Sequence, residues 1–429
     1  MDFAAALAYL DEHASYDVTG RITSPSLEPI TRLSATMGDP HLAAPVIHVT
    51  GTNGKGSTVQ MITQLLMAQG LTVGTYTSPH LERVTERIAR NGEPIPDDEF
   101  AEQIAAVAAL EGITGVRPSY FEAVTAAAFR WFADIAVDVV VIEVGLLGRW
   151  DATNIVESQV AVVTNIGLDH TEFAGPTLLD IAREKAGIVK PGSALVLGET
   201  APDLYEVFRD AGAASMLVRD TDFETVDNNL AVGGRSLDLR TPTTLYSDVY
   251  LPLHGAHQGD NAVLALTAVE TFFAAPLSDE VVRDGLGAVS APGRYEVVGV
   301  QPLVIIDGAH NPAGADTCAQ VFFDDFQPDG RRLLVVGTLR DPAAMLEALR
   351  ADEFDVVVAC TAPTPRGVPG PDVARAARAL GCGEVFVADT VAAACEIALD
   401  RADADDAVLV TGSLYVAGAA RPMLRRRLD

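Results

Sequence analysis

From Pro45 onward the chain alternates short runs of β-branched residues with Ala-rich stretches of helical character, and it does so twice. The first series is PVIHVT, TVGTY, DVVVIEVG, VAVVTNIG and ALVLG. The second begins after about Val297 with LVIIDG, LLVVGT, VVVACT, EVFVAD and AVLVTG. Apolar runs of strand length separated by helices specify βαβ units and mostly parallel sheets, buried on both faces. The expected fold is therefore α/β. An N-terminal domain over 1–296 carries a mostly parallel sheet, and a smaller Rossmann-like α/β domain covers 297–429. Between the two series, residues from about 215 to 252 are rich in Thr, Asp and Gly with short alternating stretches, which predicts a small antiparallel insertion. Helices are expected over Phe3–Glu12, Glu28–Met37, Gly56–Ala68 and Gly259–Phe273.

Composition removes several classes. The formal net charge of −29 is set against nucleic acid, because phosphate binding needs a basic surface. No apolar run reaches the ~18 residues of a membrane span. The N-terminal MDFAAALAYLDEH carries acids rather than a basic leader. Four cysteines without C-x-x-C spacing fit a reducing compartment and neither a disulfide framework nor a zinc site. A cytoplasmic location is expected. The basic residues are nearly all arginine, the only lysines being Lys55, Lys185 and Lys190. A chain that uses arginine elsewhere keeps lysine where its chemistry is needed.

The strongest local signal is VTGTNGKGST, Val49 to Thr58, between a predicted strand and a predicted helix. Glycines at 51, 54 and 56 let the backbone turn tightly so that its N–H groups face phosphate oxygens, and the helix N-terminus adds its positive end. Lys55 supplies a point charge, and Ser57 or Thr58 a hydroxyl near a metal. Gly51, Thr52, Asn53, Gly54, Lys55, Gly56, Ser57 and Thr58 are accordingly the expected nucleotide loop. By itself this loop does not separate a ligase from a kinase or a switch ATPase.

Three further segments sit at predicted strand ends, where open α/β sheets place their sites. They are YTSPHLERVTERI with Ser78, Pro79 and His80, IEVGLLGRWDATN with Glu143, and TNIGLDHTEF with Asp169 and His170. An oxygen-rich set suits Mg²⁺, and Glu143 is the first candidate ligand. In IAREKAGIVKPG, Lys185 alone reads as an exposed helical lysine.

Together these segments, with SYFEAVTAAAF, HGAHQGDNAVLAL, PGRYEVV, IIDGAHNP and VTGSLYVAG, resemble the Mur ligase superfamily, and within it the folylpolyglutamate synthase/dihydrofolate synthase family. The likeness runs over nearly the whole chain. It implies an ATP-dependent ligase that activates a folate-type carboxylate (dihydropteroate or tetrahydrofolate) as an acyl phosphate and joins it to L-glutamate. Ser78, Glu143 and His170 are implied as Mg²⁺ ligands, and Lys185 as a carbamylated lysine holding a second ion. Asn261, Arg294 and Asp307 match nucleotide-contacting positions, which implies ATP in a cleft between the domains. His310 and Ser413 match glutamate-side positions. Phe121, Glu122, Asp151 and Asn154, with the loop around Ser24–Leu27, match the pterin side. Lys55, Lys185 and His310 are the implied catalytic residues, and a monomer is implied.

Local readings compete for some of these: a cap for Ser413, a helix-start role for His310, a core role for Phe121. The chain also departs from the family pattern. Leu147-Gly148-Arg149-Trp150 stands where Gly-Gly-Arg-Leu is common, and Pro342-Ala343 replaces a lysine and a second aspartate. A peptidoglycan-precursor ligase is a competing reading, disfavoured because only about forty residues precede the P-loop strand. A P-loop kinase or ATPase is another, and it leaves the second α/β domain without a purpose.

Overall fold

The computed structural model describes residues 1–14 and 25–428. The chain forms two compact units. Of the described residues, one holds those up to Pro252 together with Gln258–Ser290, and the other holds Leu253–His257 and those from Ala291 onward.

The first unit is built on an eight-stranded sheet in the order β4-β3-β2-β5-β1-β6-β7-β8. Its strands are β1 (Val46–Thr50), β2 (Val73–Tyr76), β3 (Ile88–Arg90), β4 (Glu93–Pro94), β5 (Val139–Glu143), β6 (Val160–Val163), β7 (Ala194–Leu197) and β8 (Ser215–Val218). The six from β2 to β8 in that order are parallel, and β3 and β4 add an antiparallel edge. Every residue of β1 and β5 is buried. That is why their apolar runs are continuous rather than alternating. After β1 the chain crosses to β2 on one side and later reaches β6 on the other. The parallel strands release their loops at one edge of the sheet, around β1, where such folds bind ligands.

The five expected strands are present. The antiparallel insertion is a three-stranded sheet of β9 (Glu224–Ala231), β10 (Gly234–Arg240) and β11 (Leu245–Leu251). It is shorter than expected, because Ser215–Val218 pairs parallel with β7 and extends the main sheet. The helices Phe3–Asp11, Asp97–Thr114 and Tyr120–Asp134 share an apolar core with the face of the sheet, centred on Phe100, Ile104, Trp131 and Phe132. Gly285 lets the Asp279–Gly287 helix close on Lys55–Ala68, since a Cβ there would lie 2.9 Å from Leu65 Cα.

The second unit has a six-stranded sheet in the order β12-β13-β17-β14-β15-β16. The strands are β12 (Glu296–Val300), β13 (Leu303–Ile306), β14 (Arg332–Val336), β15 (Val356–Cys360), β16 (Glu384–Ala388) and β17 (Ala407–Thr411). The five expected strands are the parallel ones. The sixth, β12, is an antiparallel edge that the sequence did not announce. It is only half-buried, and it interrupts its apolar run with Gly299 and with Glu296, which pairs with Arg421 at 2.8 Å.

Candidate active site

The phosphate loop leaves β1 and enters the Lys55–Ala68 helix with Gly54 as N-cap in the left-handed region at φ 81. A side chain at 54 would be strained by that dihedral, and its Cβ would lie 2.6 Å from Asn261 Oδ1. Asn261 is buried, donates to Gln258 Oε1 at 3.0 Å, and so stands directly against the loop. The N–H groups of a helix's first turn have no partners within the helix. Those from Gly54 to Ser57 are therefore the ones available to an anion.

Thr52 and Asn53 behave differently from expectation. The Thr52 N–H donates to the Asn165 carbonyl and the Asn53 N–H to Asn165 Oδ1, both at 3.0 Å. Their amides fasten the loop to the end of β6. Thr164 Oγ1 donates to the Asn53 carbonyl at 2.6 Å, and Thr52 Oγ1 accepts from the Gly167 N–H at 2.9 Å. Asn165 and Thr164 are thus parts of the site that sequence reasoning missed. They lie within the motif TNIGLDHTEF, but nothing in their spacing signals a partner more than a hundred residues away.

Lys55 folds its side chain back over this loop, and Nζ donates to the carbonyls of Gly51 and Thr52 at 3.1 Å each. Lys185 comes to the same place from the end of the Leu178–Lys185 helix. It is buried, not exposed, and its Nζ donates to the Gly51 carbonyl at 2.7 Å. Burial pushes the Lys185 pKa well below the usual lysine value; the Lys55 charge adds to this, while Asp169 and Asp151 oppose it. Gly148 allows the approach, since a Cβ there would lie 3.1 Å from Lys185 Cα.

Ser78, at the end of β2, donates its N–H to Glu143 Oε2 at 3.1 Å, and Glu143 ends β5 next door. Both carboxylate oxygens lie within 4 Å of where a Gly56 Cβ would stand, so the helix start and the carboxylate are neighbours. Ser78 Oγ and Thr58 Oγ1 are buried hydroxyls with no hydrogen-bond partner among the described residues. His170 caps the Thr171–Ala174 turn in the left-handed region at φ 53, and its Nε2 is 3.7 Å from Asp169 Oδ2. Of the expected ligands Ser78, Glu143, His170 and Lys185, Ser78 thus stands with Glu143, and His170 lies beside Asp169. Among the described residues no three His, Cys, Asp or Glu side chains form a metal cage. An orphaned hydroxyl beside a carboxylate fits Mg²⁺, which keeps several waters and takes other ligands from phosphate.

On the expected pterin side, Phe121 packs on Gly145, where a Cβ would meet the ring at 2.5 Å, and stands 6.0 Å from Tyr76 between ring centres. Glu122 accepts from the Ser119 N–H at 2.7 Å, closing a capping box on the Tyr120–Asp134 helix. Asp151 is buried and accepts from the N–H groups of Leu146 at 2.8 Å and Thr153 at 3.0 Å. Burial raises its pKa to about 6 against those hydrogen bonds. Asn154 Nδ2 donates to the carbonyls of Arg149 and Gly187, both at 3.0 Å. Glu122 and Asp151 therefore spend their carboxylates on neighbouring N–H and O–H groups, whereas Asn154 keeps a buried Oδ1 with no hydrogen-bond partner among the described residues. Leu147 occupies the left-handed region at φ 59, where glycine is favoured, and Trp150 is exposed. Of the expected loop at Ser24–Leu27, Ser24 lies outside the described residues.

In the second unit Asp307 follows β13. Its carboxylate accepts from the N–H groups of Tyr295 at 3.1 Å and Ala309 at 2.8 Å. Arg294 reaches the same turn, where a Gly308 Cβ would be 3.3 Å from its Nη1. His310 is half-buried with Nδ1 3.2 Å from the Gly308 carbonyl, and Asn311 caps the Pro312–Gln320 helix. Ser413 is fully buried. Its Oγ accepts from the Val416 N–H at 3.2 Å and donates to the Gly337 carbonyl at 3.4 Å. Ser413, expected on the glutamate side, thus has no exposure and both hydroxyl roles engaged, and it caps the final helix.

Residues 99–269 match the Mur ligase middle domain and 293–414 the Mur ligase glutamate ligase domain. The chain is 39% identical to the dihydrofolate synthase/folylpolyglutamate synthase of Mycobacterium tuberculosis, over 94% of this chain and 90% of that one. The structure of M. tuberculosis folylpolyglutamate synthase with ADP superposes with a TM-score of 0.91 at 36% identity, covering all of both chains. A bifunctional folylpolyglutamate synthase/dihydrofolate synthase with Mn, AMPPNP and L-glutamate bound gives 0.85 at 33% identity, covering 99% of this chain and 98% of that one. A kinase or switch ATPase does not explain the glutamate ligase domain. The chain belongs to the dihydrofolate synthase/folylpolyglutamate synthase family of ATP-dependent Mur ligases.

Proposed function

We propose that this enzyme joins the carboxylate of dihydropteroate or a reduced folate to L-glutamate through an acyl phosphate. The observation that carries the reading is the meeting of Lys55 and Lys185 on the Gly51 carbonyl, beside the Glu143 carboxylate and the orphaned Ser78 hydroxyl. A free carboxylate resists amines because its leaving group would be oxide. Phosphorylation gives it a leaving group, so the protein's work is positioning and charge neutralisation.

The N–H groups from Gly54 to Ser57 and the Lys55 ammonium would hold the triphosphate, with Asn261 fixing the turn. In the second unit Asp307 and Arg294 would meet the nucleotide and His310 the glutamate. Ser78, Glu143 and His170 would hold Mg²⁺, and Lys185 a second ion. Such ions neutralise charge on the transferring phosphoryl group. An ammonium would not ligate a cation. Burial disfavours the charged form of Lys185, and its neutral amine would add to CO₂ and lose a proton to become a carbamate, an anion that does. Phe121 would border the pterin, and Asp151 and Asn154 would shape its pocket from behind. The reaction is one of the cytoplasm, and the enzyme works as a monomer in this scheme. No helix among the described residues is long and apolar enough to cross a membrane.

The test is phosphate release by purified protein, with dihydropteroate and tetrahydrofolate assayed in parallel. Release that needs both an acid and glutamate is expected. Release indifferent to either overturns the proposal.

A further inference from the structure

Strand β9 slips by one residue against β10 partway along its length. Asp227 stands opposite Asp238, but the next pair is Thr225 with Leu239, so Val226 is an extra residue on the β9 side. Alternate residues of a strand share a face. Residues 225 and 228 would therefore point to opposite faces of a regular strand. The bulge puts both on the face of Leu237 and Leu239, which are buried. The exposure pattern agrees: Thr225 and Asn228 are half-buried, whereas Val226, Asp227 and Asn229 are exposed. Bulges of this kind re-aim side chains.

The two re-aimed side chains meet the first turn of the His257–Phe273 helix. Thr225 Oγ1 donates to Asp260 Oδ1 at 3.3 Å, and Arg219 pairs with the same carboxylate. Asn228 lies so close to Gly259 that a Cβ there would stand 2.5 Å from its Nδ2. Asn228 is itself held. Arg235, buried on the same face of the insertion, donates from Nε to Asn228 Oδ1 and from Nη2 to the Asn228 carbonyl at 2.9 Å. Burying a guanidinium is costly unless its donors are engaged, and its planar fork fixes the geometry of what it grips.

The same turn carries Asn261. Its Nδ2 donates to Gln258 Oε1 at 3.0 Å, and both side chains are buried. Asn261 Oδ1 in turn stands 2.6 Å from the place of a Gly54 Cβ, against the phosphate loop. Gly259 and Asp260 thus touch the insertion, and Asn261, next in sequence, touches the loop. A hydrogen-bonded helical turn moves as one piece, so whatever seats Gly259 also seats Asn261.

We propose that the β9–β11 insertion positions the nucleotide: Asn228, gripped by Arg235, and Thr225 seat the Gln258–Asn261 turn and so set where Asn261 stands against the phosphate loop. Arg235, Asn228 and Thr225 are positioning residues that act through Asn261. This rests on the reading above in which Asn261 fixes the turn of that loop.

The test is calorimetric binding of a non-hydrolysable ATP analogue with Mg²⁺, beside separate KM values for ATP, acid and glutamate. Asn228→Ala removes the side chain that meets the helix, and Gly259→Ala drives a methyl group into it. Each is expected to weaken analogue binding and raise KM for ATP about three- to tenfold, the worth of one such contact. KM for acid and for glutamate should stay unchanged. Alanine favours a helix more than glycine does, so a loss in Gly259→Ala does not come from a weaker helix. Both changes act at one contact, so the double variant should be no worse than the poorer single one. Arg235→Met should act in the same direction. Unchanged analogue affinity in either single variant overturns the proposal, as does an equal rise in all three KM values or losses that multiply in the double variant. Melting curves without nucleotide confirm that the compared variants are folded. The unmodified enzyme is the separate control: no affinity for the analogue condemns the nucleotide reading, whereas affinity insensitive to residues 228 and 259 condemns only this proposal.

Discussion

Lys55 and Lys185, 130 positions apart in the chain, donate to the same oxygen, the carbonyl of Gly51, at 3.1 and 2.7 Å. Two ammonium groups on one acceptor repel, and burial disfavours the charged form. Burial first and the Lys55 charge second hold the Lys185 pKa well below the usual lysine value. In a chain of net charge −29, two of its three lysines thus meet on one backbone oxygen of the phosphate loop.

Replacing Lys185 by Ala should cut turnover by about a hundredfold or more, and small carboxylic acids in the assay should restore part of it. Normal rates in that variant would remove the carbamate from the scheme. The unfolded chain holds the Lys185 proton where the native chain does not, so this residue makes stability rise with pH between its lowered pKa and the usual value of 10.5. Lys185→Met should flatten that rise in melting temperatures taken across the window.

Ser78→Ala removes a buried hydroxyl that has no partner. The metal-free protein should then be as stable as the parent or slightly more so, because an unsatisfied polar group is lost. Stabilisation by Mg²⁺ with a non-hydrolysable ATP analogue should shrink. A melting-temperature titration with and without Mg²⁺ separates the two effects.

Asp151 supplies a pH signature of opposite sign to that of Lys185. Its folded pKa is raised to about 6 from 3.8, so the native state binds the proton more tightly than the unfolded chain. Its contribution to stability is greatest below the lower value, falls as pH rises through about 6, and is level above. Asp151→Asn should abolish this component and also cost stability, since one carboxamide oxygen cannot replace two carboxylate oxygens facing Leu146 and Thr153. Denaturant titrations from pH 4 to pH 7 would show both.

Ser413→Ala should cost about 1 kcal/mol, the usual worth of an N-cap, read as a lower denaturation midpoint. KM for glutamate should move little. A large rise in that KM with unchanged stability would instead assign Ser413 a direct contact with glutamate.

The sequence reached far into the fold for a physical reason. A parallel strand buried on both faces must be apolar throughout, so β1, β5, β6, β14, β15 and β17 announce themselves. The same rule hid β12, whose half-exposed residues and internal glycine break the pattern, and it gave no ground for adding Ser215–Val218 to the main sheet. The phosphate loop was legible because its glycines are demanded locally, as Gly54 shows with its positive φ. Glu122 was readable too, since Ser119 and Glu122 have the spacing of a capping box.

Composition and order along the chain by themselves determined the two α/β series, the nucleotide loop, and the lysines worth watching. Only the tertiary structure decided that Lys185 is buried against Gly51, that Asn165 takes the amides of Thr52 and Asn53, and that Ser413 caps a helix. Each depends on the depth and partner of one side chain. Those are set by how distant segments pack, and periodicity and spacing carry no record of them.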